Sequence, residues 1–166
     1  MNTEIQEIQV ACFWLGEDLY AVDIMRIKEI IRPLKLASLP KAPPFVEGVI
    51  NLRGTVIPIV DLRKRFDLPY RPVDQSTRLL IVSVARQALG LVVDDVTEVI
   101  TMAAKDIKAP PQVTRGVGAE YLVGVCLAKD NLIMLLNIDR ILTDQEAGEL
   151  GRMGDAGKEL IPEEHA

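Results

Sequence analysis

The chain has 166 residues, 49% of them hydrophobic and only 4% aromatic, so it is long enough for one domain or two small subdomains with real cores, built from Val, Ile and Leu rather than from rings. The net charge of −5 lies wholly in the tail: residues 144–166 carry seven acids and two bases, while the preceding 143 carry seventeen of each sign. A neutral body has no bulk attraction for phosphate backbones, which argues against nucleic-acid binding, and no apolar run approaches the roughly 20 residues that span a bilayer.

The first residues, Met1 to Gln9, are polar and acidic, unlike a signal peptide. Ile8 to Leu15 is a short apolar stretch ending at the turn signal Gly16-Glu17-Asp18, and Leu19 to Asp23 reads as the return strand. Ile24, Ile27 and Ile31 could share a helix face, but three isoleucines in eight residues suit a strand better, so Arg26 to Ile31 is assigned as one. A linker with Pro33 and Pro40 follows. Pro43 to Glu47 fits a single helical turn that Gly48 would end. Val49 to Leu52 and Thr55 to Val60 flank Arg53-Gly54, a two-residue hairpin in which glycine supplies a positive φ, and Asp61 is placed to cap a short helix through Phe66.

Residues 67–77 are polar, contain Pro69 and Pro72, and form the best internal boundary. Beyond them Leu79 to Val84 and Leu89 to Val93 flank a turn near Arg86-Gln87, and Val96 to Thr101 follows Asp94-Asp95. Leu122 to Leu127 and Leu132 to Asn137 flank Lys129-Asp130-Asn131. Thr143 and Glu146 have the spacing of a capping box that opens a short helix. From Gly148 onward the chain is glycine-rich and charged, and residues 151–166 are expected to be a flexible acidic tail.

The two halves resemble each other. Lys41-Ala42-Pro43-Pro44 recurs as Lys108-Ala109-Pro110-Pro111, each copy preceded by an apolar strand with one central acid, Glu29 or Glu98, and followed by a hairpin that ends in an Asp-containing turn. Each half holds about five short strands, too few for a stable open sheet unless it curls closed. The expected architecture is mainly β: two five-stranded barrel subdomains packed together, approximately 16–77 and 78–143 within a domain of residues 1–150, with strand 8–15 open to sharing, short helices, and a C-terminal helix and tail.

Little suggests chemistry. The one histidine, His165, stands next to the C-terminal residue, which leaves no histidine base in the body. No His or Cys cluster has metal spacing, and Cys12 and Cys126, far apart in apolar stretches, read as buried reduced thiols of a cytoplasmic protein. Gly116-x-Gly118 lacks the third glycine of a dinucleotide fingerprint, because Tyr121 takes its place. Asp94-Asp95 reads as a solvated turn. Arg53, at the tip of an otherwise apolar hairpin, is more informative: its guanidinium suits a carboxylate, and Glu29 is the natural partner in the same half. No cofactor or metal is expected.

The run Pro43-Pro44-Phe45-Val46-Glu47-Gly48-Val49-Ile50-Asn51-Leu52-Arg53-Gly54-Thr55-Val56-Ile57-Pro58-Ile59-Val60-Asp61-Leu62-Arg63 resembles the signature stretch of the chemotaxis coupling-protein (CheW) family. Gly16 to Ile24, Ile27 to Ile30, Leu91 to Val96, Ile107 to Pro110 and Glu120 to Gly124 fit the same family in order, so the resemblance covers roughly residues 8–144. It implies a pair of SH3-like barrels and a non-enzymatic cytoplasmic adaptor between a chemoreceptor's cytoplasmic hairpin tip and the regulatory domain of a CheA-type histidine kinase, recruited to membrane receptor arrays through those partners. By the same resemblance, receptor-facing positions would be Ile27, Glu29, Arg53, Leu79 and Leu80, and a kinase contact would lie near Lys108 and Val113. The implied pathway is flagellar chemotaxis, with pili or surface sensing as the alternative. A rival reading, a small β-barrel module with a ligand site between the barrels, finds no phosphate or base contacts in the sequence.

Overall fold

The computed structural model describes residues 6–110 and 119–160. Ten strands form two five-stranded sheets. They are β1 (Glu7–Leu15), β2 (Asp18–Asp23), β3 (Ile27–Ile31), β4 (Gly48–Leu52), β5 (Thr55–Asp61), β6 (Arg78–Val84), β7 (Gln87–Val93), β8 (Asp95–Ala103), β9 (Leu122–Ala128) and β10 (Asn131–Leu136). Two α-helices, α1 (Leu62–Arg65) and α2 (Asp144–Leu160), and four 3-10 turns complete the described elements. The strand assignments made from the sequence agree with these to within a few residues. Pro43 to Glu47, expected as a helical turn, is instead a tight turn closed by Val46 N donating to the Pro43 carbonyl at 3.0 Å.

The sheets do not follow the halves of the chain. One has the order β8-β1-β2-β10-β9 and the other β3-β6-β7-β5-β4. The division into barrels at 16–77 and 78–143 is therefore corrected. The first sheet takes two strands from the first half and three from the second, and the other sheet takes the reverse complement. Both use the same pairing: an antiparallel hairpin (β1–β2, β6–β7) joined in parallel to the second strand of another (β9–β10, β4–β5), with an antiparallel edge strand (β8, β3) outside. The two sheets thus share one topology, and each draws strands from both halves of the chain. The matching turns agree in detail. Arg53-Gly54, Ala85-Arg86 and Lys129-Asp130 all have positive φ at both central residues, the backbone that fits two-residue hairpins to strand twist.

The structure also moves the equivalence within the repeat. Ala37 pairs with Val49, and Lys108 pairs with Val125, as isolated antiparallel bridges. So Lys108 answers Ala37 rather than Lys41, and the recurring Lys-Ala-Pro-Pro does not mark equivalent positions. Gly48 and Gly124 lie under these bridges. A Cβ on Gly48 would stand 2.9 Å from the Ala37 carbonyl oxygen, and one on Gly124 would stand 2.5 Å from that of Lys108. The obstacle at Gly124 is backbone that is itself bonded at 2.8 Å in both directions to Val125, so it cannot yield cheaply. Gly124→Ala is expected to destabilise by about 1–3 kcal/mol in urea unfolding, the cost of overpacking; a loss below about 0.5 kcal/mol would show that this segment moves aside freely.

The central strands of each sheet are buried on both faces, which accounts for near-continuous apolar runs such as Val10 to Leu15 and Leu79 to Val84. One face of each encloses a core of its own: Val10, Cys12, Ala21, Cys126, Ile133 and Leu135 in the first unit; Ile50, Ile57, Ile59, Leu79 and Ile81 in the second. The opposite faces meet in a third, larger core shared by the units, with Phe13, Tyr20 and Leu136 from one side and Leu80, Val82, Leu91 and α1's neighbour Phe66 from the other. Phe13, Tyr20, Phe66 and Tyr121 follow one another through it at centroid spacings of 6.1, 5.7 and 5.3 Å, the first two pairs stacked and the last tilted by 45°. Both cysteines are free and buried, and burial pushes the Cys12 thiol up to about 11, so neither is an activated nucleophile.

Charge fastens the two crossings between units. At the second, Asp94 is 5% exposed and forms an ion pair with Arg63, which is 7% exposed; Gly16 N donates to Asp94 Oδ2 at 2.7 Å, and Arg63 Nε donates to the Pro69 carbonyl at 2.8 Å. Asp94 is thus a buried hub, not the solvated turn expected from its sequence. At the first crossing, Arg26 Nη2 donates to Asp139 Oδ1 at 2.6 Å and to the Ser83 carbonyl at 3.0 Å. The Arg26 hydrogen bond holds the Asp139 carboxyl below the usual carboxylate range. Helix α2 opens with the expected capping box: Thr143 Oγ1 accepts from Glu146 N and Glu146 Oε1 accepts from Thr143 N. It then continues to Leu160, within the segment 151–166 expected as a flexible tail, of which 161–166 lie outside the described residues. Leu150, 1% exposed, gives it a foothold in the shared core.

Candidate partner-docking surface

Arg53 stands at the tip of the β4–β5 hairpin with φ 52°, a conformation secured by Gly54 N donating to Asn51 Oδ1 at 2.8 Å. Its Nη2 donates to Glu29 Oε2 on β3. The sheet order puts β3 and β4 at opposite edges, so this pair joins the two ends of the sheet and curls it toward a barrel. The pairing proposed from sequence is present. Arg53 is 68% exposed and Glu29 31%, so the contact itself adds little stability; it fixes where a planar donor and a carboxylate stand on the surface.

Ile27 lies on the same strand, half-buried against the shared core. On β3 and the segments flanking it are exposed apolar side chains that the sequence reading did not single out: Met25 at 85%, Ile30 at 40%, Leu34 at 43% and Leu36 at 41%. Their signal was faint, because an exposed isoleucine on an edge strand looks the same in sequence as a buried one. Leu79 and Leu80 do not join this surface. They are 2% and 0% exposed, because β6 runs between β3 and β7 and is covered on both faces, with Leu79 in the unit's own core and Leu80 in the shared one. They support the surface from beneath and cannot touch a partner directly.

The other unit repeats the device. Lys129, at the β9–β10 tip, donates from Nζ to Glu98 Oε1 on β8 at 3.1 Å, again linking edge strand to hairpin tip. The strands of this unit also carry exposed apolar side chains: Leu127 is 72% exposed, Leu132 51%, Val123 53% and Val99 49%. Lys108 is exposed beside this strand pair, its backbone bonded to Val125 and its Nζ donating to the Lys105 carbonyl at 3.2 Å. Val113 lies outside the described residues.

A groove of about 630 Å³ runs between α1 and α2, lined by Phe45, Asp61, Lys64, Arg65, Tyr121 and Glu146 among others. Its two cations are already engaged. Lys64 Nζ donates to Glu47 Oε1 at 2.9 Å, and both Nη atoms of Arg65 donate to Glu146, at 3.0 and 2.9 Å. Burial pushes the Asp61 carboxyl up. A phosphate or other anion would have to displace these pairs, which disfavours the small-molecule reading. No helix among the described residues is long and apolar enough to cross a membrane.

Two five-stranded sheets of the same topology, each with an ion pair between an edge strand and a hairpin tip, packed about one shared core, define a two-unit β fold. Residues 9–146 match the model of the CheW-like domain. The chain is 36% identical over 157 residues to the chemotaxis protein CheW of Treponema pallidum, covering 92% of each, and 33% identical to that of Helicobacter pylori, covering 85% of this chain and 84% of the other. Its fold matches the crystal structure of the scaffolding protein TtCheW from Thermoanaerobacter tengcongensis with a TM-score of 0.76 at 32% identity, over 86% of this chain and 92% of that one. The chain belongs to the CheW family of chemotaxis scaffold proteins.

Proposed function

We propose that this chain is a non-catalytic cytoplasmic adaptor that couples chemoreceptors to a CheA-type histidine kinase, gripping the receptor's cytoplasmic hairpin tip with the surface around Ile27, Glu29 and Arg53. The observation that supports the reading is the Arg53–Glu29 pair, which holds an exposed guanidinium and a carboxylate at a hairpin tip, with exposed apolar Met25 and Ile30 on or next to the strand that carries Glu29. An amphipathic helical partner offers apolar side chains and charges side by side, and this surface offers both in return. The kinase contact is assigned to the other unit, near Lys108 and Val113. The exposed Val123 and Leu127 on the neighbouring strand β9 offer apolar contacts there.

The test is a double-mutant cycle on binding of a receptor signalling fragment. Arg53→Ala and Glu29→Ala are each expected to weaken binding with the fold intact by circular dichroism, and to couple by about 0.5 kcal/mol or more, as contacting residues do. Arg53→Lys should rescue only partly, because an ammonium lacks the planar fork. Additive effects would reject the pair as a unit, and parental binding and kinase activation by Arg53→Ala would reject the assigned surface.

A further inference from the structure

Helix α2 is an unusual closing element. It leaves the unit that contains β10 and packs across β5 and β7 of the other, so it spans the two units. Its hold is narrow. Among its described side chains only Leu150 is buried, and its polar fastening is one residue, Glu146, which both closes the capping box with Thr143 and takes two hydrogen bonds from Arg65. Burial opposes ionisation of Glu146, yet the Arg65 hydrogen bonds hold its carboxyl below the usual range, so the clasp is charged at neutral pH.

Against that hold stands the helix's own composition. Glycine occupies positions 148, 151, 154 and 157 within the 17 residues. An interior glycine disfavours helix by roughly four- to fivefold relative to alanine, through the backbone freedom it gives up. Packing does not demand glycine at the first two. A Cβ at Gly148 would meet nothing closer than Arg152 Nη1 at 3.8 Å, and one at Gly151 nothing closer than Gln87 Nε2 at 3.8 Å, both ends of flexible side chains at ordinary contact distance. Neither glycine has a positive φ. The weakness is therefore in the helix and is not forced by its seat.

We propose that α2 is a releasable latch: it locks the two units together while helical, and it detaches by local unwinding while both sheets stay folded. Release withdraws Leu150 from the shared core, parts Glu146 from Arg65 and removes one wall of the groove that holds Phe45 and Tyr121. The strands beneath keep their ladders, because no strand pairs with α2. This does not depend on which partner binds the Arg53 surface.

Native-state amide hydrogen exchange on the intact chain tests the latch. Residues 147–152 are expected to exchange through an opening that leaves β6 and β7 protected, with strand protection at least about a hundredfold greater. Gly148→Ala with Gly151→Ala should raise α2 protection by roughly fifteen- to twenty-five-fold while β6 and β7 change little. Glu146→Gln should lower it several-fold in the same background. If α2 exchanges only together with β6 and β7, or if the double alanine variant leaves α2 protection unchanged or raises that of the strands equally, the latch is refuted.

Discussion

Asp94→Ala is expected to lower the unfolding free energy by about 3–5 kcal/mol, the range seen when one member of a buried ion pair is removed. Arg63 is left with a guanidinium that is 7% exposed and with only the Pro69 carbonyl as a strong acceptor, while Gly16 N loses its acceptor as well. Arg71 Nη1, 3.4 Å from Asp94 Oδ2, makes a longer contact on the more open side and does not replace what is lost. The reverse substitution, Arg63→Ala, should cost less, because Asp94 would keep Gly16 N and could draw Arg71 closer. Replacing both by apolar residues of similar size should cost less than the two single losses combined, since no orphaned charge remains. Urea unfolding of the three variants decides the matter. A loss under about 1 kcal/mol for Asp94→Ala would mean that water reaches Arg63 and that the crossing between units is not fastened by charge.

That cluster also shows where sequence reasoning stops. Asp94-Asp95 follows an apolar strand, as solvated turns do, and nothing local marks it as the point where the chain crosses from one sheet to the other. The crossing depends on pairings such as Leu19 to Ala21 beside Ile133 to Leu135, parallel and more than a hundred residues apart. Strand existence was legible because Val, Ile and Leu runs are bounded by Gly16, Arg53-Gly54 and Lys129-Asp130, whose turn chemistry is local. Strand partnership was not, because a strand's own pattern does not record which half of the chain supplies its neighbour. The Arg53–Glu29 contact was legible for a particular reason: a lone acid in an apolar strand and a lone arginine at an apolar hairpin tip each need a partner, and the same half of the sequence offers few. The glycine-rich stretch after Gly148 is a different case. Local propensity is against helix there, and the foothold of Leu150 together with the Arg65–Glu146 bonds outweighs it.

Leu80→Ala is expected to destabilise the protein by about 2–5 kcal/mol, and to do so whether or not a partner is present. Leu80 has no exposed surface and belongs to the shared core with Val82, Leu91, Phe13 and Tyr20, so truncation removes apolar contact from both units and leaves a cavity that two rigid sheets cannot collapse around. Leu79→Ala should fall in the same range through the second unit's own core, where Leu79 packs with Ile50, Ile57 and Ile59. The contrast is with Met25→Ala, at an 85% exposed position, which should shift stability by no more than about 0.5 kcal/mol. If Leu79 and Leu80 were contact residues, their alanine variants would unfold like the parent and lose only partner binding. If they are core, as their burial states, the urea midpoint falls first, and any loss of coupling follows from the smaller folded population. Measuring unfolding and receptor binding on the same preparations separates the two. A Leu80→Ala protein with a parental midpoint and selectively impaired binding would return this position to the docking surface and would require β6 to be uncovered on one face.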